Sequence, residues 1–508
     1  FWSGESYFPD MFNPKIEEYW HEMLDHLKSK IDFSGIWLDM NEIANFNHGS
    51  EHEKDFYDDI PYKPGFDNLR YKTTAMDAVH YGGIEEYNVH ELFSILQNKA
   101  TYNYLRKRTK LPFILTRSTS PGTGQFAAHW TGDNGSSWRF LQISIAGNFL
   151  FQIFGMPFVG ADICGFFDDT TGELCARWIQ VGALYPFARN HNRDQPKDQE
   201  PWAFKERRER DGDKMLEAYR ASGKFRYSIL KWFYSLFIAT RGSGTVWRPL
   251  SFEFPDEEIL YTDDHINERQ LLLGSSMMAT PCVEQGHTKV KAYFPKDDWF
   301  DFLSGQRIIT EERENRKVEI DAPFNAPAPI FIRAGHIVHS QDVSNVLSTD
   351  DLNDEFLLNI AFKKAKNENK WEAAGSIMGV KKFDDDTIYD KCVEKNCLYN
   401  IRATIKEVSP TMIYSEIEFK VEDPSAAGQL EELKIYGFKL YGLPLVFFEE
   451  DNKKMGYGVA QSFDNTLKPL GQVLTVKAES PYPGTFHVPL PEKISVKGGD
   501  IIKLEILI

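Results

Sequence analysis

Two acidic residues follow an apolar segment near the start of the chain, and they are the first candidates for chemistry. Residues 35–38 (GIWL) have the length and apolarity of a buried β-strand, and Asp39 and Glu42 come shortly after them. In α/β barrels and open α/β sheets, functional residues lie at the carboxyl ends of the strands. The pattern therefore predicts a site at Asp39, although acids that merely cap the next element would produce the same pattern.

A further acid, Asp133, lies between two tryptophans, Trp130 and Trp138. Partial exclusion of water there would raise the pKa of its carboxyl group, which a catalytic acid needs. Asp39, with hydrogen-bond donors nearby, would stay ionised. Hydrolysis of a glycosidic bond with retention uses one carboxylate as nucleophile and a second carboxyl group as acid/base. Whether Asp39 and Asp133 come close together is left open by their spacing.

Helix and strand signals alternate over the first half of the chain. Helices are predicted near residues 14–27, with Asn13 as N-cap, and near 88–107, 136–150, 172–185 and 212–240. Strands are predicted near residues 33–39, 111–117, 126–131, 157–162 and 245–254. Four of these strands end at Asp39, Arg117, Asp133 and Asp162.

This alternation predicts an α/β fold, the C-terminal part of a (β/α)8 TIM barrel with its functional residues at one end. About five strands are visible where a barrel needs eight, so we expect the first strands to lie upstream of Phe1. A doubly wound open sheet is the alternative, but no Gly-rich phosphate loop supports it. From about residue 265, short β-type segments and turn residues replace the helical pattern. The predicted domains are the incomplete barrel at 1–262 and two all-β sandwiches at 263–343 and 344–508.

Composition narrows the functional classes. The chain has 508 residues and a net charge of −17, which argues against nucleic-acid binding. It contains no run of 18 apolar residues, so no transmembrane segment is expected. The five cysteines show no zinc-site spacing, and no metal is expected. Small loops could be closed by Cys164 with Cys175 and by Cys392 with Cys397, while the apolar neighbours of Cys282 indicate a buried free thiol.

Six segments, in this order along the chain, resemble motifs of glycoside hydrolase family 31, the α-glucosidases. They are residues 8–10 (FPD), 37–42 (WLDMNE), 129–138 (HWTGDNGSSW), 160–166 (GADICGF), 185–192 (YPFARNHN) and 247–250 (WRPL). The resemblance covers residues 1–340; beyond them only the predicted architecture is similar.

The resemblance implies a role for each candidate residue. Asp39 would attack the anomeric carbon, Asp133 would protonate the leaving oxygen and then activate water, and Glu42 would support the loop of the nucleophile. The other site residues that the resemblance implies are Arg117, Asp162 and His191 for sugar hydroxyls, Arg189 for orienting the acids, and Trp2, Trp37, Met40, Trp130 and Phe166 for the pocket wall. Structural alternatives stay open. Arg117, Arg189 and Asp162 could form an ion-pair network, His191 could be a hydrogen-bonded core histidine, and the tryptophans could belong to the core.

Further expectations follow from the resemblance. No cofactor is implied. A disulfide between Cys164 and Cys175 is implied, and with it an oxidising compartment, lysosomal, vacuolar or secreted. In family 31 the first barrel strands belong to an N-terminal part that is not in this sequence. We therefore expect a second chain from the same precursor to complete the barrel.

The implied activity is that of a retaining exo-α-glucosidase, which releases terminal glucose from maltose, oligosaccharides, glycogen or starch. α-1,4 linkages are expected, and α-1,6 linkages are left open. The alternatives are an N-glycan-trimming glucosidase, an α-xylosidase or a transglucosidase of the same family. From a different class, the chain could be a non-catalytic carbohydrate-binding paralogue, but the presence of both carboxylates argues against this.

Overall fold

The computed structural model describes residues 7–44, 47–49, 68–194, 197–208, 212–242, 244–366, 370–379, 397–409, 412–443, 456–463, 474–482 and 485–507. It divides into two compact units, residues 1–132 with 153–159, and residues 133–152 with 160–508. Among the described residues, no helix is long and apolar enough to cross a membrane.

The first half of the chain alternates between helices and short strands. Its helices are α1 (Ile16–Lys28), α2 (Glu86–Val89), α3 (Phe93–Arg106), α4 (Trp138–Ile153), α5 (Gly172–Gly182), α6 (Pro201–Glu206), α7 (Gly212–Ser228), α8 (Leu230–Ala239), α9 (Ile259–Thr262) and α10 (Asp264–Asn267). Its strands up to residue 190 are β1 (Gly35–Leu38), β2 (Val79–His80), β3 (Ile84–Glu85), β4 (Phe113–Thr116), β5 (Ala128–His129), β6 (Asp162–Ile163) and β7 (Arg189–Asn190).

Parallel strands in each unit carry the predicted site residues. In the first unit, β1, β4 and β5 form a three-stranded parallel sheet, and α3 connects to β4 in the manner of a βαβ unit. In the second unit, β6 and β7 pair in parallel, with α5 between them. Because parallel strands end at the same edge of a sheet, residues that follow them become neighbours.

Local structure differs from the sequence-based prediction at several boundaries. Helix α1 begins at Ile16, because the side chain of Asn13 accepts a hydrogen bond from the backbone N–H of Lys15 in a turn before the helix. The helix predicted over 212–240 is two helices, interrupted at Ile229, whose φ of −109° and ψ of 9° are not helical. The strand predicted near 245–254 is reduced to two residues, since Pro249 lacks the backbone N–H that would continue a ladder.

The remaining strands build the β-rich part of the second unit. They are β8 (Trp247–Arg248), β9 (Leu271–Leu273), β10 (Met277–Ala279), β11 (Lys289–Tyr293), β12 (Trp299–Asp301), β13 (Arg307–Ile309), β14 (Lys317–Asp321), β15 (Ile330–Arg333), β16 (His336–Ser340), β17 (Glu355–Ala361), β18 (Lys363–Lys364), β19 (Trp371–Met378), β20 (Leu398–Ser409), β21 (Met412–Val421), β22 (Leu433–Tyr441), β23 (Gly456–Phe463), β24 (Leu474–Tyr482), β25 (Thr485–Val496) and β26 (Ile501–Leu507).

These strands form two large sheets. The first is antiparallel, with six strands in the order β13-β12-β15-β10-β9-β8, and β11 pairs with β14 beside it. The second is a mixed sheet of eleven strands, from β16 to β18 through β22 and β26. β16 precedes the predicted boundary at 343/344 but pairs with β17. The domain boundaries therefore stay predictions.

A buried carboxylate holds together three segments of the first unit. Glu86 is 1% exposed, and its two oxygens lie 2.6 Å from His80 Nε2 and 2.6 Å from His90 Nδ1. The other ring nitrogen of His80 lies 3.0 Å from Asp10 Oδ1. The hydrogen bond to Glu86 raises the pKa of His90. Burial would raise the pKa of Glu86, but the hydrogen bonds from His90 and His80 outweigh it and lower this pKa.

We expect the cluster around Glu86 to stabilise the protein most in mildly acidic solution. The raised pKa of His90 contributes stability below about pH 6.5, and this is lost as the pH rises through the folded-state value. The lowered pKa of Glu86 contributes above about pH 4.3, and this is lost as the pH falls through the folded-state value. Glu86→Gln should therefore cost about 2 kcal/mol near pH 5.5 and less at pH 8.

Thermal unfolding of the wild type and the variant between pH 4.5 and pH 8 measures this difference. Glu22→Gln, at an exposed glutamate of α1, is the matched control and should show no pH-dependent cost. An equal cost of Glu86→Gln at pH 5.5 and pH 8 would contradict the role of the histidines.

Candidate active site

One group of predicted site residues, in the first unit, lies at the ends of β1 and β4. Leu38 and Thr116 are register partners in these two parallel strands, and Asp39 and Arg117 are the next residues along the chain. The backbone N–H of Arg117 donates to Leu38 O at 3.0 Å. The register therefore makes neighbours of an acid and a base that are 78 positions apart in the sequence.

Arg117 contacts both acids of the 37–42 motif. Its Nη1 lies 3.2 Å from Asp39 Oδ1, its Nε donates to Glu42 Oε2 at 3.3 Å, and its Nη2 forms an ion pair with Glu42 Oε1. The Arg117 side chain is 21% exposed and that of Asp39 is 36% exposed, so the pair is reachable by a ligand. The contact places the positive charge of the Arg117 guanidinium beside the carboxylate of Asp39.

One oxygen of Asp39 takes part in these contacts. Asp39 Oδ1 accepts a hydrogen bond from the backbone N–H of Met40 at 2.9 Å and faces Arg117. Met40 has a φ of 56°, an uncommon conformation for a residue other than glycine. Within the described part of the chain, Asp39 Oδ2 has no hydrogen-bond partner. This oxygen is therefore the one that a ligand could reach without displacing a hydrogen bond of the described residues.

Two aromatic side chains meet where β1 and β5 end. The rings of Trp37 and Trp130 meet edge to face with centroids 5.3 Å apart; Trp37 is 46% exposed and Trp130 is buried. Next to Trp130, His129 Nδ1 lies 3.0 Å from Thr116 O. Burial lowers the pKa of His129 to about 4. The neutral ring donates to this carbonyl and adds no positive charge near Arg117.

A separate group of predicted site residues, in the second unit, surrounds Asp133. This residue is half-buried and has a φ of 60°, which costs an aspartate about 1 kcal/mol. Its backbone N–H donates to Asp162 Oδ2 at 2.9 Å, and the N–H of Asp162 donates to Asn134 Oδ1 at 3.0 Å. Arg189, the register partner of Asp162 in β7, donates from Nη2 to Asp162 Oδ1 at 3.2 Å. These contacts hold the backbone of the predicted acid/base residue.

The loop after β6 carries another residue of the group around Asp133. Cys164 and Cys175 form a disulfide that fastens the loop to α5. Gly165 has a φ of 95°, and a Cβ atom there would lie within 2.7 Å of Ser136, so a side chain does not fit. The loop carries Phe166, whose ring centroid lies 5.2 Å from that of His191. An aromatic face beside a histidine suits the C–H and O–H groups of a sugar.

The predicted site residues thus fall into two groups. The structure places Asp39, Glu42, Met40, Arg117, Trp37 and Trp130 together in the first unit, and Asp133, Asp162, Arg189, Phe166 and His191 together in the second. Trp2 lies outside the described residues. Asp162 is fully buried and faces Arg189 and the Asp133 backbone, so its assigned contact with sugar hydroxyls stays a prediction.

Three further residues, for which the sequence motifs predicted no role, are Asn41, Asn134 and His129. Each is buried and hydrogen-bonds a residue of a neighbouring strand or loop. Their positions in the sequence could have identified two of them, because Asn41 and Asn134 follow Asp39 and Asp133 within two residues. Cys282 is a buried free thiol, as predicted, and Cys397 is disulfide-bonded, while Cys392 lies outside the described residues. Where side chains are described, no three His, Cys, Asp or Glu residues are grouped so that they could hold a metal ion.

Two family models match this chain over most of its first two thirds. The glycosyl hydrolases family 31 TIM-barrel domain matches residues 1–236, and the glycosyl hydrolase family 31 C-terminal domain matches residues 243–338. The chain belongs to glycosyl hydrolase family 31. Membership of family 31 confirms the family predicted from the six motifs, and with it the barrel followed by β domains.

Curated relatives are similar over much of the chain. A lysosomal acid alpha-glucosidase of Tetrahymena pyriformis is 35% identical over 453 residues, which are 79% of this chain and 48% of that protein. Alpha-xylosidase 1 of Arabidopsis thaliana is 36% identical over 397 residues, 72% of this chain and 42% of that protein. The chain spans about half the length, or less, of these family 31 relatives.

A solved structure has the same fold. The crystal structure of glucosidase II alpha subunit superposes with a TM-score of 0.72 at 23% sequence identity. The alignment covers 99% of this chain and 50% of that chain. The likeness extends the family 31 architecture to the β-rich part beyond residue 338.

Proposed function

We propose that the protein to which this chain belongs is a retaining exo-α-glucosidase. It releases terminal α-1,4-linked glucose from maltose, oligosaccharides and glycogen or starch. Cleavage of α-1,6 linkages is an open part of the proposal, which isomaltose tests. The observation that carries the proposal is the contact of Arg117 with Asp39 in the family 31 motif, which places a positive charge beside the proposed nucleophile, while the backbone N–H of Met40 binds the same oxygen. Relatives named alpha-glucosidase support the choice of substrate.

In the proposed reaction, Asp39 Oδ2 attacks the anomeric carbon while Asp133 gives its proton to the leaving oxygen. The bond to the leaving sugar breaks, and a glucosyl ester forms on Asp39. Asp133, now ionised, takes a proton from water, whose oxygen attacks the anomeric carbon and releases Asp39. Two inversions at the same carbon give net retention.

Product analysis of the whole protein tests the activity. We expect α-glucose to appear first when maltose is followed by NMR, and maltose to be cleaved faster than isomaltose. Release of xylose from a xyloglucan oligosaccharide in preference to glucose would favour the α-xylosidase alternative, for which the Arabidopsis relative is the specific observation. Initial release of β-glucose would contradict retention.

We infer that a preceding segment of the same precursor completes the catalytic barrel. Among the described strands, β1 pairs along one edge with β4 and along the other with none, whereas barrel strands pair on both edges. Denaturing electrophoresis and N-terminal sequencing of active enzyme should show either a second chain or one longer chain. Full activity of residues 1–508 alone would overturn this inference.

We propose a lysosomal, vacuolar or secreted location. The Cys164–Cys175 disulfide favours an oxidising compartment, and relatives named lysosomal support it. Cell fractionation with an antibody against this chain should place it in acidic vesicles or the medium. Recovery in the cytosolic fraction, with free Cys164 and Cys175 thiols, would contradict the proposal.

A further inference from the structure

A buried asparagine lies within the motif that carries the nucleophile. Asn41 is 2% exposed and stands between Met40 and Glu42. Its amide Nδ2 donates to Thr116 Oγ1 at 2.8 Å, and its Oδ1 accepts from the backbone N–H of Ser118 at 3.0 Å. One neutral side-chain amide thus forms hydrogen bonds with both an acceptor and a donor at the end of β4.

The two partners of Asn41 are the residues on either side of Arg117. The segment 39–42 therefore holds Arg117 in two ways. Its carboxylates, Asp39 and Glu42, contact the guanidinium, and its amide fixes the backbone from which the guanidinium extends. Thr116 is further restrained, because its carbonyl accepts from His129.

We infer that Asn41 is a positioning residue that sets the guanidinium of Arg117 against Asp39. This rests on the proposed function, in which Asp39 is the nucleophile. Asn41 acts through Arg117 and does not itself contact the sugar. Aspartate in its place would keep the size and the Ser118 contact, lose the donor to Thr116, and add a third carboxylate to a four-residue segment.

The chemical consequence concerns the charge around Asp39. If Arg117 moves away, the positive charge beside the proposed nucleophile is lost, and in Asn41→Asp a negative charge is added to the same segment. A displacement of about 1 Å in such a site lowers the rate roughly 100-fold, even though the fold is kept. Substrate binding should change less, because Arg117 is only one of several residues predicted to contact the sugar.

The test compares Asn41→Ala, Asn41→Asp and the wild type in the whole protein, with kcat and KM for maltose measured from pH 3 to pH 8. We expect kcat to fall about 10- to 100-fold in Asn41→Ala, with KM within about threefold. The acidic limb of the kcat/KM profile should move upward by about one pH unit in Asn41→Asp and by less in Asn41→Ala.

Asn103→Ala is the matched control. The Asn103 amide joins two helices of the same unit by donating to Glu17 at 2.7 Å, so its loss should lower the melting temperature without moving the pH profile. If Asn41→Ala does not fold, the near-isosteric Asn41→Asp decides the question through its pH profile. Wild-type kcat and pH profile in Asn41→Asp would overturn the inference.

Failure of the inference is distinguishable from failure of the proposed function. If Asp39→Asn abolishes activity while both Asn41 variants behave as the wild type, only the positioning role is overturned. If Asp39→Asn itself retains activity, the proposed function is overturned, and the role of Asn41 with it.

Discussion

Asp39→Asn is expected to lower kcat for an aryl α-glucoside by a factor on the order of 10⁴ or more, because it removes the nucleophile itself. The amide keeps the size of the carboxylate and can still accept from the N–H of Met40. It cannot form the glucosyl ester. Loss of a group that makes the covalent bond affects turnover even with activated leaving groups, so both aryl glucosides and maltose should fail.

A matched substitution separates this effect from a general loss of charge. Asp32→Asn changes an exposed aspartate of the same unit, whose partner is Lys28, and should leave kcat unchanged. Melting temperatures of both variants establish that they fold. Activity of Asp39→Asn within tenfold of the wild type would remove the covalent mechanism altogether and favour the non-catalytic paralogue.

Asp133→Ala should have a different signature, because its acid role matters most when the leaving group is poor. With maltose we expect kcat to fall about 10³-fold. With an activated aryl α-glucoside, the first step needs no proton, so formation of the glucosyl ester should stay fast and its hydrolysis should become slow. Azide, which needs no general base, should restore turnover and yield α-glucosyl azide.

This pattern distinguishes the acid/base from a residue that only stabilises the loop. Asp213→Ala, at an exposed aspartate of α7 that pairs with Lys205, is the control and should show neither loss nor azide rescue. The basic limb of the wild-type pH profile should also disappear in Asp133→Ala, because a general acid sets that limb. Equal losses on both substrates, without glucosyl azide, would show that Asp133 is not the acid/base.

Prediction from sequence was accurate where one short segment contains the whole signal. The apolar run before Asp39 predicts β1, and the alternation of helices and strands predicts the α/β class, because periodicity is a local property. Prediction was poorer at boundaries. Ile229 interrupts a helical pattern that contains no proline there. Asn13 does not cap α1, because its side chain instead binds the backbone N–H of Lys15 in a local turn.

The sequence by itself determined the family to which the chain belongs. Its motifs also predicted Asp39, Glu42 and Asp133 as site residues and Cys164 with Cys175 as a disulfide. Only the tertiary structure decided how these groups are held. Arg117 contacts both Asp39 and Glu42. Asp162 accepts from the backbone N–H of Asp133, and Asn41 hydrogen-bonds the residues on either side of Arg117. The physical reason is strand register. A shift of one residue between β1 and β4 would move Arg117 away from Asp39 and Glu42.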